Sequence, residues 1–187
     1  AFLGYNEISW AIRDALTNLH TFNDAKGQLA SQKISAVGYI TLAGIERDEG
    51  VVISRDRFGS ANLNQLDSSS GKWFVVQTNN DHWDSGCYDR CKAATENLEK
   101  LGQLEVDSET LRSEVLLQYP NLNPISIYNT ILEPFSGRID NILVDYEPSF
   151  RYQSIPSVES SMEPNSELEM NGIPKDLPTF SLKKRLS

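Results

Sequence analysis

ISAVGYITLAGIERDEGVVISRDRFGSANLNQLDSSSGKWFVVQT, residues Ile34 to Thr78, is the stretch that decides the fold. Ile34 to Leu42 is rich in β-branched and aromatic side chains and runs into Gly44, the pattern of a buried strand. Asp48-Glu49-Gly50 supplies a hairpin turn, and Val51-Val52-Ile53-Ser54 the returning strand. From Ala61 to Leu66 the residues alternate, with Leu63 opposed to Asn62 and Asn64. Asp67-Ser68-Ser69-Ser70-Gly71 is a polar turn, and Trp73 to Thr78 is the strongest run of strand formers in the chain. Four strands on short turns predict an antiparallel meander.

On either side the period changes to that of helices. Ile8, Ile12, Ala15, Leu16 and Leu19 recur at helical spacing, which predicts an amphipathic helix from about Glu7 to Leu19. Asn23 is the expected cap of a second helix, through Ala25 to Gln32. Downstream, Asp89 to Leu101 reads as a helix closed by Gly102, and Asp107 or Ser108 starts another that ends near Gln118, before Pro120. Ile125 to Leu132 and Ile139 to Val144 are two further strands, joined by Pro134-Phe135-Ser136-Gly137. Runs of helices and runs of strands, without strict alternation, favour an α+β fold or layered sandwich over a parallel doubly wound sheet. The domain is expected over residues 1–152. Residues 153–187 repeat Ser, Glu, Asn and Pro and are expected to form a disordered polar tail, with Lys183-Lys184-Arg185 as solvated charge.

The 187 residues carry a net charge of −9. No Lys and Arg patch stands against that acidity, so nucleic acid is not an expected partner. No run of about 18 apolar residues marks a membrane-spanning helix. The first residue is Ala1, which suggests a processed product or a piece of a longer chain. Cys87 and Cys91 lie four apart in a helical stretch and share one face; two free thiols are the expectation, and a local disulfide the alternative. With His20 and His82 they do not complete a zinc site, and neither metal nor cofactor is expected.

The chemistry-bearing region is Trp73 to Lys92. Its strand runs into Thr78-Asn79-Asn80-Asp81-His82-Trp83, and polar loops at strand ends can aim side chains at a ligand. The Asn79 carboxamide offers uncharged donors for an oxyanion. Arg90, at the start of the next helix, can orient a carboxylate or carbonyl. The plainer reading makes Asn79 and Asp81 an ordinary turn and Arg90 one half of a surface ion pair.

Four strings carry a resemblance. Gly50-Val51-Val52-Ile53-Ser54-Arg55-Asp56-Arg57 resembles the "VITRDR" segment of acid ceramidase-type amidases. Gly71 to Trp83 resembles their "W-x-V-x-T-N-Y-D-x-W" stretch, and Tyr88-Asp89-Arg90-Cys91-Lys92-Ala93 the "D-D-R-R-x-x-A" motif that follows it. Ser126-Ile127-Tyr128-Asn129-Thr130-Ile131 resembles their "T-I/V-Y-T-T" strand. The order holds from about Phe2 to Pro148, and the middle pair is the specific one. Asn80 stands where the family has Tyr, and Cys91 where it has a second Arg.

The resemblance implies an N-terminal-nucleophile hydrolase, an αββα four-layer sandwich with antiparallel sheets, of which this chain would be the C-terminal portion. In such enzymes a Cys exposed by self-cleavage attacks the amide carbonyl and its own α-amino group is the base. The matching Asn79 would help form the oxyanion hole, and Arg90 would lie beside the nucleophile. The implied substrate is an N-acyl lipid of ceramide or N-acylethanolamine type, met in a lysosomal or secretory setting with peripheral contact to a membrane. Neither Cys87 nor Cys91 is N-terminal, so the nucleophile is expected on a missing N-terminal part of the same polypeptide, and the isolated chain is expected to be inactive. Val51, Ile53, Phe74 and Val76 are the apolar side chains expected to face that part. The other readings are a catalytically inactive relative serving as a structural or interaction module, and a generic α+β binding domain.

Overall fold

The computed structural model describes residues 5–81, 83 and 87–144. The expected tail at 153–187 lies outside the described residues, as does His82. Helix α1, Ile8–Asn18, buries Ala11 and Ala15, and Ile8, Ile12 and Leu19 complete its apolar stripe. Leu16, expected on that stripe, is 67% exposed, because one step past Ala15 turns it about 100° around the helix, away from the core. Helix α2, Phe22–Ser31, is capped by Thr21 and not by Asn23. Thr21 is extended, and its Oγ1 accepts from the Asp24 amide at 3.1 Å and donates to Asp24 Oδ2 at 2.7 Å. Asn23 is already inside the first turn, where its own backbone cannot take the extended shape of a cap.

Strands β1, Gly38–Ala43, β2, Gly50–Arg55, and β3, Ser60–Gln65, form an antiparallel sheet in the order β1-β2-β3. β1 begins later than expected: Ile34 is buried but makes only an isolated parallel bridge to Asn6. Alternation along the strands gives the sheet two unlike faces. Ile40, Leu42, Val51 and Ile53 pack with Ala11, Ala15 and Leu29 beneath α1 and α2. Full burial of each large apolar side chain there is worth about 1.5–3 kcal/mol. Val51 and Ile53, expected to face another segment, are therefore satisfied within this chain, each 0% exposed. The register places Tyr39, Thr41, Val52, Ser54, Asn62 and Asn64 together on the opposite, largely polar face.

The expected fourth strand is not one. Pairing ends at the isolated bridge between Asp67 and Lys72, and Trp73 to Thr78 runs on without a ladder. Its apolar side chains have another use. Trp73, Phe74 and Val76 pack against a second core of Ala94, Leu98 and Val115. That core joins α3, Arg90–Leu101, to the helical stretch that starts with α4, Ser108–Thr110, and continues as a π-helical run, Leu111–Leu116. Asp107 caps α4 through the amides of Glu109 and Thr110, while Thr110 Oγ1 accepts from the Asp107 amide, a reciprocal capping box.

Strands β4, Tyr128–Glu133, and β5, Arg138–Leu143, form a separate antiparallel hairpin, turned at Gly137 with φ 68°. Arg112 ties it to the helical stretch by an ion pair to Asp140 at 2.9 Å and a bond from Nε to Asn129 Oδ1 at 3.1 Å. Two cross-strand apolar pairs, Tyr128 with Leu143 and Leu132 with Ile139, lie on its exposed face. Helices together with two antiparallel sheets make the fold α+β, as expected.

Candidate active site

The polar face of the three-stranded sheet forms the floor of a cleft of about 480 Å³. Tyr39, Ser54, Arg55 and Ala61 line it from the strands, Asp56 from the turn after β2, and Asn79, Asp81 and Trp83 from the loop beyond Thr78. The rim at Ala61 follows from a β-bulge. Ser54 pairs with Asn62 and Arg55 with Ser60, so Ala61 is the extra residue. Bulges bend a strand and re-aim its side chains.

Three contacts hold the cleft in shape. The Tyr39 hydroxyl donates to Asp81 Oδ1 at 2.6 Å and fastens the loop to β1. That bond, and the negative charge of Asp81, favour the protonated phenol and raise the Tyr39 pKa. Beneath them Arg55 is 3% exposed, and its Nη1 and Nη2 donate to the carbonyls of Leu29 and Gln32. These are among the last carbonyls at the end of α2, which have no partner within the helix, so the guanidinium closes the helix end, and Arg55 is also one of the residues lining the cleft. Burial lowers the Arg55 pKa, opposed by the charge of Asp56. Asp56 in turn accepts from the amides of Phe58 at 2.7 Å and Gly59 at 2.8 Å. Those two bonds hold its carboxyl below the usual range and fix the turn into β3.

Asn79 and Arg90, the two residues singled out from the sequence, are brought together. Arg90 Nη2 donates to Asn79 Oδ1. A guanidinium can only donate, so the atom facing it must be the carboxamide oxygen. The bond to Arg90 therefore does not use the Nδ2 hydrogens of Asn79, a residue that lines the cleft. Arg90 itself is not among the lining residues; it is bonded to Asn79, which is. No carboxylate pairs with Arg90 among the described residues, so the surface ion pair weighed for it does not form there.

The thiol expectation is corrected. Cys87 and Cys91 are joined in a disulfide across the start of α3. Cys87 lies ahead of the helix rather than on it, and the chain before Arg90 brings its Cα to 5.1 Å from that of Cys91, within the reach of a disulfide. The sequence reading passed over Tyr39, Ser54 and Arg55. The signal for Tyr39 and Ser54 lay in the alternation of β1 and β2, which separates them from the core-facing Ile40 and Ile53; Arg55, on the same side as Ile53, carried no such signal. Among the described residues no group of three or more His, Cys, Asp or Glu side chains could hold a metal ion.

No protein-family model matches the chain. It is similar to the N-acylethanolamine-hydrolyzing acid amidase of Caenorhabditis elegans, 35% identical over 127 residues, which are 68% of this chain and 36% of that protein. It is also similar to acid ceramidase of Homo sapiens, 34% identical over 148 residues, 76% of this chain and 37% of that one. The N-acylethanolamine-hydrolyzing acid amidase of Rattus norvegicus is 40% identical over 132 residues, 70% of this chain and 36% of that one. The chain thus spans a little over a third of the length of these curated relatives. Among solved structures, the Caenorhabditis elegans N-acylethanolamine-hydrolyzing acid amidase ortholog matches with a TM-score of 0.61 and 36% identity, over 68% of this chain and 54% of that chain.

Proposed function

Because the chain belongs to the acid ceramidase and N-acylethanolamine-hydrolyzing acid amidase family, we propose that it forms part of a hydrolase of N-acyl lipid amides. The observation that carries this reading is the Arg90–Asn79 bond at the rim of the cleft. Amide hydrolysis passes through a tetrahedral intermediate whose oxygen carries negative charge, and donors already aimed at that oxygen need not reorganise as the charge forms. Asn79, its oxygen held by Arg90, meets that requirement. The nearby cation also favours a developing anion.

The nucleophile in this reading is a cysteine supplied by polypeptide outside these 187 residues. The two cysteines present are tied to each other and offer no thiolate. A setting on the secretory route fits the same bond, since disulfides persist in oxidising compartments. The word "acid" in the relatives' names suggests an acidic one.

The experiment uses protein expressed from its complete reading frame and a fluorogenic N-acyl amide. Turnover is expected, and Asn79→Ala should lower kcat by a factor on the order of 100 to 1,000 with little change in KM. Absence of turnover by a folded, soluble protein would overturn the reading in favour of a catalytically inactive relative.

A further inference from the structure

We infer that the Cys87–Cys91 disulfide is a positioning element for Arg90, and through it for Asn79. The inference rests on the function proposed above for that pair. The bond closes a short covalent ring, and Arg90 lies inside it, directly before Cys91. Helix α3 needs such a fastening. Its cap residue, Asp89, has φ 42° and ψ −105°, and its side chain makes no capping hydrogen bond. The other helix starts have a polar side chain there: Glu7 for α1, Thr21 for α2 and Asp107 for α4. At α3, among the described residues, backbone bonds hold the start, from the Cys91 amide to the Tyr88 carbonyl at 3.0 Å and from the Ala93 amide to the Asp89 carbonyl at 2.9 Å. An uncapped helix start frays.

The crosslink stands where the cap would. Cys91 is buried on the helix, and the sulfur of Cys87 lies 3.6 Å from Thr95 Oγ1, a turn further on. The chain before Arg90 is therefore fastened to the rigid side of α3, whose Ala94 and Leu98 sit in the second core. This matters because Arg90 holds Asn79 by a single bond at a partly open rim. Fraying of one turn displaces the guanidinium by more than a hydrogen bond tolerates. Reduction by a dithiol delivers two electrons and two protons to the sulfur pair, giving two thiols, and the dithiol closes to its own cyclic disulfide. The ring opens, and Arg90 then depends on the backbone bonds alone.

The test uses protein expressed from the complete reading frame, with and without dithiothreitol, beside the Cys87→Ser/Cys91→Ser variant. Iodoacetamide labelling followed by mass spectrometry reports the bond. Hydrogen exchange at the Ala93 amide reports the helix start, and steady-state kinetics on an N-acyl amide report the site. Without reductant both cysteines should escape labelling. Reduction should speed exchange at Ala93 roughly tenfold. It should also lower kcat about 10- to 100-fold with KM unchanged, since a misplacement near 1 Å costs that order of rate. The double variant should match the reduced parent and ignore dithiothreitol. Labelling of both cysteines without reductant overturns the inference, as does faster exchange with unchanged kcat. If the protein hydrolyses no N-acyl amide at all, the proposed function fails, and the labelling and exchange results decide the positioning role alone.

Discussion

Replacing Arg55 by Met should destabilise the protein by about 2–4 kcal/mol, although the residue makes no ion pair among the described residues. The side chain is 3% exposed, and its guanidinium donates to the carbonyls of Leu29 and Gln32 at the end of α2. Hydrogen bonds that involve a charged group contribute about 1.5–3 kcal/mol each. The favourable placing of a cation at a helix C-terminus adds about 0.3–1 kcal/mol. Against these stands the cost of keeping a guanidinium out of water with its Nε unpartnered, which the substitution relieves. Met retains most of the stem volume, so little cavity is left and the loss is of the fork itself. Arg55→Lys keeps the charge but not the paired geometry, and should lose roughly half as much. Urea unfolding followed by far-ultraviolet circular dichroism measures both, with the midpoint shifted and the slope unchanged. Arg stays protonated across the accessible range, so the loss should be equal at about pH 5 and pH 8. A change in Arg55→Met within about 0.5 kcal/mol, the range of an ordinary surface substitution, would refute the claim that this guanidinium closes α2.

Two other substitutions test the contacts around the cleft and the hairpin. Tyr39→Phe removes the 2.6 Å bond to Asp81 and should cost about 1 kcal/mol in urea unfolding. Because the folded Tyr39 pKa is raised above 10.0, that difference should hold at all lower pH and vanish as pH rises through the raised value; a difference that persists well above it would contradict the bond. Asp140→Asn should lower the melting temperature at neutral pH. The Arg112 hydrogen bond and charge, with Arg138 beside them, hold the Asp140 pKa below 3.8, so its contribution is full above that value and is lost as pH falls through the lowered one. Melting curves that stay apart well into that acid range would argue against the Arg112–Asp140 link.

Much of the fold was legible because it is written in short-range patterns. The stripe of α1, the β-branched run of β2 and the turn at Asp67 to Gly71 each follow from neighbours in sequence. What failed was decided at longer range. Trp73 to Thr78 has the composition of a strand, yet composition cannot tell an apolar run that pairs from one that packs on a helix, and here the second core claims it. Cys87 and Cys91 offered a spacing that reads first as free thiols, and the bond between them showed only in three dimensions. Asn79 and Arg90 were found through the motif in which they stand. That they touch, and that Arg90 takes the carboxamide oxygen, needed the loop to return α3 to the same rim. Tyr39 and Asp81 lie far apart in sequence and became a pair only in three dimensions.

The central claim is that Asn79 is the oxyanion donor and that Arg90 works by orienting it. A double-mutant cycle on kcat tests this most directly, with Asn79→Ala, Arg90→Lys and the two combined, in protein expressed from its complete reading frame. If Arg90 acts through Asn79, its substitution should matter little once the carboxamide is gone. The double variant should then fall within about threefold of Asn79→Ala alone, a coupling well above the roughly 0.3–0.5 kcal/mol scatter of independent sites. Losses that multiply, so that the double variant is slower by the product of the two single effects, would contradict the account and assign Arg90 a separate task.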